Sequence, residues 1–371
     1  MSDRIFSSSA AATGADGAVA QAVRAALCHL PGVDEAGSVH LVGLASDMAI
    51  MTLLALSAYM MLLVGRVSFA QQAFFALGAY ASGVLTAMFD LPLPLALAWG
   101  MTVGAGASWA LALPTLRLSG LHYAVATLAF GEMTRIGLGW WTWQVQPVEA
   151  PRAAGAESVV AGTGTGTTAA PVGPAGIEGF RDIRWLQEHN LAPEVYMLGT
   201  AAVAALVLAL LIALERTRLG VSLRQIGQDD LLAASQGLPV VQLRLLAAGA
   251  AGALAALAGG LYAHRTTYIE PAMFDPMLGV HAVGYALLGG LGTALGPLLG
   301  VVLDIGLLDA SRLFPGWRMV IFGGLVALFL RWRPRGLLDE VLVHRIAMAA
   351  RALMERLRAP RPTPPGVEVP R

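Results

Sequence analysis

Lysine is absent from this chain of 371 residues, and all 24 basic residues are arginine. Without lysine the chain has no phosphate-binding loop of the G-x-x-x-x-G-K-[ST] type, no Schiff base and no Ser-Lys dyad. The single cysteine, Cys28, has no partner for an internal disulfide, and the seven histidines are scattered without metal-binding spacing. We therefore expect no ATP hydrolysis by a Walker site of this chain, no bound metal and no cofactor.

Charge is also scarce, because only 13% of the residues are charged while 56% are hydrophobic, and the mean hydropathy is +0.66. A soluble protein usually carries about a quarter charged residues, so this composition excludes an ordinary cytosolic enzyme and predicts an integral membrane protein. The 43 glycines fit this class, since glycine lets membrane helices approach closely. The net charge is zero and no basic block is long enough to follow a phosphate backbone, so we expect no nucleic-acid partner.

Apolar stretches long enough to cross a hydrocarbon core of about 30 Å begin near residue 39. The stretch 277–310 is long and broken by glycine, and is interpreted as two short crossings joined near 289–293. Short or glycine-interrupted segments are typical of backbone that lines a cavity. The fold class is therefore an all-α, polytopic helix bundle with about nine transmembrane crossings, eight or ten being the alternatives. The other crossings are 39–64, 69–89, 91–115, 119–143, 194–214, 243–263 and 317–331.

Arginine is distributed unevenly between the two sides of this arrangement, and the arginine-rich side is expected to be cytoplasmic. The C-terminus is therefore predicted to be cytoplasmic, and an odd number of crossings places the N-terminus outside. The arginines on the cytoplasmic side are Arg66, Arg117, Arg216, Arg218, Arg224, Arg331, Arg333 and Arg335. The acids on the other side include Glu149, Glu157, Glu178, Asp182, Glu188, Glu194, Glu270 and Asp275.

The segments around the crossings divide the chain into three parts. Residues 1–38 are a polar N-terminal segment, 39–336 the transmembrane domain, and 337–371 a cytoplasmic part made of an amphipathic helix and a disordered, proline-rich tail. Residues 144–193 form a long extracytoplasmic loop whose Gly/Thr run, 161–168, is interpreted as a flexible linker.

The cytoplasmic loop 215–242 carries charges and a helical pattern, and one or two short helices are expected in it. Asp229 and Asp230 are placed to cap the second helix, where the helix dipole favours negative charge. Gly237 is placed to end that helix in a left-handed conformation. The alternative interpretation is a solvated connector.

Several residues at membrane depth are candidates for function or for packing. Gln71 and Gln72 lie in an apolar segment, where an unpartnered amide is costly, so Gln71 either faces a substrate path or bridges two helices. Glu132 and Arg135 lie three residues apart on one helix face and are interpreted as a functional pair or as a structural one. A helix-packing stripe of small residues is predicted from the four-residue spacing of Gly292, Gly296 and Gly300.

The loop block 219–238 reads LGVSLRQIGQDDLLAASQGL. It resembles the ATPase-coupling loop of ABC importer permeases, specifically the branched-chain amino-acid permease family of the LivM type, in which this loop typically reads G-x-x-x-R-A-I-R-E-[ND]-E-x-A-A-x-x-x-G-[IV]. The chain departs from that pattern at Gly227, where the family usually has Arg, and at Gln228, where it usually has Glu. The matching positions are Gly220, Arg224, Ile226, Asp229, Asp230, Ala233 and Gly237.

Four further blocks resemble motifs of the same family and occur in the same order. Residues 65–80 (GRVSFAQQAFFALGAY) resemble its G-x-[LV]-S-L-G-[HQ]-A-A-F-F-G-I-G-A-Y, and residues 116–132 (LRLSGLHYAVATLAFGE) its L-R-x-x-G-x-Y-F-A-[IV]-x-T-L-[AG]-F-[GA]-E. Residues 287–297 (LLGGLGTALGP) resemble L-G-G-x-G-[ST]-x-x-G-P, and 333–337 (RPRGL) the P-R-G-L end. The resemblance covers roughly 40–338.

The resemblance implies a permease subunit of a bacterial ABC importer in the inner membrane, moving branched-chain amino acids or related small polar solutes such as amides or urea. Its implied partners are a second homologous permease in a heterodimer, two cytosolic ATPases and an extracytoplasmic solute-binding protein. The implied ATPase-coupling residues are Arg224, Ile226, Asp229, Asp230, Ala233 and Gly237. The candidates for the translocation path are Tyr59, Gln71, Gln72, Phe74, Thr127 and Glu132.

A stand-alone secondary transporter or channel is the alternative function. It requires an internal inverted repeat and a line of buried acids or histidines for ion coupling. Asp47, His281 and Asp304 are instead isolated on three different segments. The sequence therefore favours the ABC permease.

Overall fold

The computed structural model describes residues 15–28, 35–143, 173–181, 183–309 and 318–332. The expected linker at 161–168, the tail helix and the block at 333–337 lie outside these residues. The helices are α1 (Ala15–Cys28), α2 (Glu35–Leu63), α3 (Gln71–Phe89), α4 (Leu93–Thr115), α5 (Gly120–Trp140), α6 (Trp185–Glu188), α7 (Pro193–Glu215), α8 (Arg218–Gln228), α9 (Asp230–Ser235), α10 (Val240–Thr266), α11 (Pro276–Gly289), α12 (Leu295–Val301) and α13 (Arg318–Trp332).

The described part of the chain is helical throughout, apart from turns and two isolated β-bridges, Thr142–Ala175 and Phe180–Ile269. Single 3₁₀ turns occur at Gly176–Glu178 and Pro271–Met273. A π-helical segment, Val302–Asp309, directly follows α12. The predicted all-α class of a polytopic membrane protein is confirmed.

Within the described residues, five helices are long and apolar enough to cross a membrane, at Gly37–Leu63, Gln71–Phe89, Leu93–Thr115, Pro193–Glu215 and Val240–Thr266. The count of nine crossings is not confirmed. Helix α5 has 21 residues but carries His122, Glu132 and Arg135, and it is not among the five. Helices α11 and α13 have 14 and 15 residues, so each is only about 21–23 Å long, against a hydrocarbon core of about 30 Å.

Helix α10 is the centre of the helix packing and lies against α2, α3 and α4. It runs parallel to α3, since Gly78 meets Ala256 and Thr86 meets His264. Helix α4 runs the other way along α10, because Ser108 Oγ donates to Ala248 O (2.6 Å) and Trp109 Nε1 donates to Leu245 O (2.9 Å). Lipid supplies no hydrophobic drive between helices, so close van der Waals packing and interhelical hydrogen bonds hold this group together.

The predicted break in the segment 277–310 is confirmed. Helix α11 ends at Gly289, Gly290 takes a φ of 106°, and α12 begins at Leu295. The two helices pack against each other in antiparallel orientation. A Cβ at Gly289 would overlap Gly296 O, and one at Gly300 would overlap Tyr285 O. The predicted stripe needs one correction, since Gly292 lies in the turn before α12 and is not on a helix face with Gly296 and Gly300.

The described end of the loop 144–193 is part of the packed structure. Phe180 and Ile269 exchange backbone hydrogen bonds of 2.7 and 3.0 Å. Phe180 and Ile183 are fully buried, and both lie against Gly83 of α3. Phe180 and Ile183 therefore pack this part of the loop against α3 and against the chain that follows α10.

The glycine contacts of α4 predict a difference between two neighbouring Gly→Ala substitutions. A Cβ at Gly104 would collide with the Ala256 side chain and lie 2.5 Å from Gly252 O, whereas one at Gly106 has no heavy atom within 4 Å. We expect Gly104→Ala to lower the free energy of unfolding by about 1–3 kcal/mol through overpacking. Gly106→Ala should be neutral or raise it by about 1 kcal/mol at most. Denaturant unfolding in detergent micelles measures both, and equal effects would contradict the assigned α4–α10 contact.

Candidate functional site

The loop 215–242 folds into two helices, α8 and α9, joined at Asp229. Thr217 begins α8, because its Oγ1 accepts a hydrogen bond from Gly220 N (3.4 Å). Leu223 and Ile226 are buried on the inner face of α8, while Leu219 and Val221 are exposed on the other. The expectation of one or two short helices in this loop is confirmed.

Helix α9 is capped at both ends. Asp229 Oδ1 accepts from Leu231 N (2.9 Å) and Leu232 N (3.0 Å). At the other end Gly237 takes a φ of 81°, with Gly237 N donating to Ala234 O and Leu238 N donating to the carbonyl of the buried Ala233, a Schellman ending. The predicted caps at Asp229 and Gly237 are confirmed. Asp230 does not cap the helix through its side chain, which forms an ion pair with Arg244 of α10.

Gly227, where the chain departs from the family pattern, lies where α8 touches the end of α2. A Cβ at this position would overlap Leu63 O and lie 3.0 Å from Gly65 N. A side chain as large as arginine does not fit this contact. The departure is therefore explained by the close approach of the two backbones.

A polar group of the buried Tyr59 and the partly buried Glu215 and Arg224 is called the junction cluster. The Tyr59 hydroxyl donates to Glu215 Oε1 (2.5 Å), and Ala294 N donates to the same oxygen (2.7 Å). Arg224 Nη2 lies 3.3 Å from Glu215 Oε1 and donates to Gly292 O (2.8 Å). The cluster therefore joins α8 to α2, to the end of α7 and to the turn between α11 and α12.

The chemistry of the junction cluster is that of an ion pair whose partners are held by further hydrogen bonds. Charge-assisted hydrogen bonds are stronger than neutral ones, and a mostly buried carboxylate that loses its cation leaves an uncompensated charge. Arg224 therefore links α8 directly to the Gly292 carbonyl. The group is suited to transmit a displacement of α8 into the membrane domain.

Arg66, in the link between α2 and α3, forms a second contact beside the junction cluster. It connects this link to the end of α4 and to α5. Its guanidinium donates to Thr115 O (3.2 Å) and Leu116 O (2.9 Å) and lies over the Tyr123 ring at 4.8 Å. Burial, together with the neighbouring Arg244, lowers the pKa of Arg66 below its ordinary value. Arg66 thus satisfies the orphan carbonyls at the end of α4, which is the role expected of a cation at a helix C-terminus.

The other candidate residues lie deeper, around the start of α3. Phe69 N donates to Thr127 Oγ1 of α5 (3.0 Å), so the chain before α3 is held against α5. Gln71 and Gln72 follow, and both are fully buried. Phe74 packs against Phe130 of α5 with ring centroids 6.0 Å apart. The structure thus brings Gln71, Gln72, Phe74 and Thr127 into one region.

Two path candidates lie outside that region. Tyr59 belongs to the junction cluster, and Glu132 is partly exposed and forms an ion pair with Arg135 (2.8 Å). Sequence reasoning missed Glu215, although an acid that ends an apolar span beside Arg216 and Arg218 is a usable signal. It also missed Gly131 and Gly279, which lie against Gln72 and are ordinary small residues in the sequence.

The junction cluster predicts the stability of an arginine variant. We expect Arg224→Met to lower the free energy of unfolding by about 1–3 kcal/mol, because it leaves the Glu215 carboxylate without its cation. Arg218→Met is the matched control, since Arg218 is an exposed arginine of the same helix, and its effect should stay within about 0.5 kcal/mol. Denaturant unfolding in detergent micelles compares the two, and similar losses would argue against the cluster.

Comparison with known proteins gives one family and two close relatives among curated proteins. The family described as "Branched-chain amino acid transport system / permease component" matches residues 40–330. The high-affinity branched-chain amino acid transport system permease protein LivM of Salmonella typhimurium is 29% identical over 278 residues, and that of Escherichia coli is 28% identical over 269 residues. Each alignment covers 71% of this chain and 62% of the relative's length. No solved structure matches.

Proposed function

This chain belongs to the permease family of branched-chain amino acid transport systems, and on that premise we propose that it is the transmembrane subunit of an ABC importer. It carries solute across the bacterial inner membrane and is not itself an enzyme. ATP is hydrolysed by separate chains, which agrees with the absence of lysine. Branched-chain amino acids are the proposed substrates, since both LivM relatives are named for transport of this class.

The observation that carries this proposal is the exposed apolar end of α9. Leu231 is 84% exposed and Leu232 58% exposed on a helix that is otherwise fixed by two caps and the Asp230–Arg244 pair. A rigid helix that presents two leucines beside arginines is suited to a protein partner rather than to water. We assign this surface to a cytosolic ATPase, one for each of two permeases.

Mechanical coupling follows from the contacts of α8. A docked ATPase that displaces α8 and α9 moves Arg224, and with it Glu215, Tyr59 and the turn at Gly292. Packed helices respond to such a displacement by shifting between discrete arrangements. The proposed consequence is a switch between outward and inward access of the solute path.

The finer topology is also part of the proposal. Four further crossings, namely α5, α11, α12 with its π-helical continuation, and α13, add to the five apolar spans, which gives nine. The positions of Arg66, Arg224 and Arg244 near α8 and α9 support a cytoplasmic location for this side of the molecule. The C-terminus then lies in the cytoplasm. A second, homologous permease completes a heterodimer, and an extracytoplasmic binding protein delivers the solute to the outer face.

The proposed docking surface is tested by a pair of substitutions that each add one negative charge. We expect Leu231→Glu to abolish recovery of the ATPase chains with the tagged permease in mild detergent. ATP-dependent leucine uptake should fall by about tenfold or more, because a loss of about 1.4 kcal/mol of docking energy corresponds to a tenfold change in binding. Gln225→Glu, on an exposed position of α8, should leave both nearly unchanged.

Mass spectrometry of the recovered chains and uptake in membrane vesicles give the two readouts. Recovery of a second permease and of ATPases with Walker motifs supports the importer. Uptake that persists without ATP, by a chain that is recovered alone, would contradict it and would support a secondary carrier.

A further inference from the structure

The Gln72 side chain fills the contact between α5 and α11. A Cβ at Gly131 of α5 would overlap Gln72 Nε2, and a Cβ at Gly279 of α11 would overlap Gln72 Oε1 and lie 2.7 Å from Phe69 O. The amide is therefore held between two backbones that approach it closely because neither carries a side chain. Gly131 lies about 15 Å from either end of α5 at 1.5 Å per residue, so this contact is near the middle of the helix.

Neither amide in the first turn of α3 forms a hydrogen bond within the described residues. The nitrogen and oxygen of both Gln71 and Gln72 are buried and unpartnered. Burial of a polar group without a hydrogen bond is unfavourable, and such groups in a native structure need an explanation. A bridge between two helices is not that explanation, because a bridge would be hydrogen-bonded.

The start of α3 adds further donors at the same place. Its first residue follows Ala70, and no side chain caps the helix. The N–H groups of the first turn and the positive end of the helix dipole favour a negatively charged or carbonyl oxygen. Two amide groups, which carry N–H donors of their own, thus lie beside a helix N-terminus that lacks a side-chain acceptor.

We propose that the contact of α5 with α11 around Gln72 is the closed gate of the solute path, and that Gln71 and Gln72 bind the carboxylate of the transported amino acid when this contact opens. The inference rests on the proposed function, which it extends to a site and a ligand group. In the closed state the amides are desolvated and unpartnered. Opening exposes them to solute, so the energy of the buried amides favours opening and their hydrogen bonds favour a carboxylate ligand.

A volume-conserving substitution separates this role from a packing role. Gln72→Met fills the same space without an orphaned polar group, so we expect the melting temperature to stay equal or rise. ATP-dependent uptake of leucine should nevertheless fall by about tenfold or more, the effect of one lost hydrogen bond to a charged group. Uptake at the wild-type rate would overturn the proposal.

Thiol accessibility tests the gate in the assembled transporter, independently of the binding energy. The variant Gln72→Cys is made in a Cys28→Ser background and labelled with methanethiosulfonate ethylammonium. We expect its thiol to react slowly at rest and about tenfold faster during ATP turnover, because the rate of labelling follows the population of the open state. Ser82→Cys is the matched control, because Ser82 is equally buried on α3 and lies against Gly260 of α10. It should stay unreactive in both states, and a thiol at 72 that stays equally inert during turnover would overturn the gate.

The proposed carboxylate contact is tested by measuring how strongly unlabelled leucine and leucine amide inhibit the uptake of labelled leucine. In Gln72→Glu we expect inhibition by leucine to weaken about tenfold more than inhibition by leucine amide, because the new carboxylate repels the carboxylate of leucine. An unchanged ratio would overturn the carboxylate assignment. If wild-type uptake does not require ATP, the proposed function itself has failed; if it does and the thiol at 72 stays inert, only the gate has failed.

Discussion

The close approach of helix backbones around α10 is the constraint on which the rest of the structure depends. In a bilayer, helices gain little from burying apolar side chains against one another, so contact distance and complementarity decide which helices associate. Gly78, Gly104, Gly252 and Gly259 bring α3 and α4 against α10 with no space for a Cβ. The position of α3 along α10 then follows, and with it the depth at which the first turn of α3 is buried.

The helix packing places two kinds of polar group in different surroundings. The junction cluster lies beside α8, where Tyr59, Glu215 and Arg224 satisfy one another and the backbone of the turn before α12. Gln71 and Gln72 lie in the helix packing, where nothing described satisfies them. The first group is suited to hold a fixed geometry and pass on a displacement. The second is suited to a ligand, because its hydrogen-bonding capacity is unused.

The loop 215–242 shows why local sequence predicts helix ends well. The caps at Asp229 and Gly237 depend on short-range chemistry, a carboxylate at a helix N-terminus and a residue that tolerates positive φ. Both are visible in the sequence without knowledge of the fold. The count of crossings was harder, because hydropathy does not distinguish a long span from a short helix pair such as α11 and α12, which packs on itself through Gly289, Gly296 and Gly300.

By itself the sequence determined the all-α membrane class, the glycine break between α11 and α12, and the presence of short helical structure in the loop 215–242, since composition and local backbone preference fix these. Only the tertiary structure decided that Tyr59 lies with Glu215 and Arg224, 156 and 165 residues away along the chain. It also decided that Gln72 lies between Gly131 and Gly279. Such neighbours depend on which helices pack together and in what register, and that follows from the shape of whole helix faces rather than from any single segment.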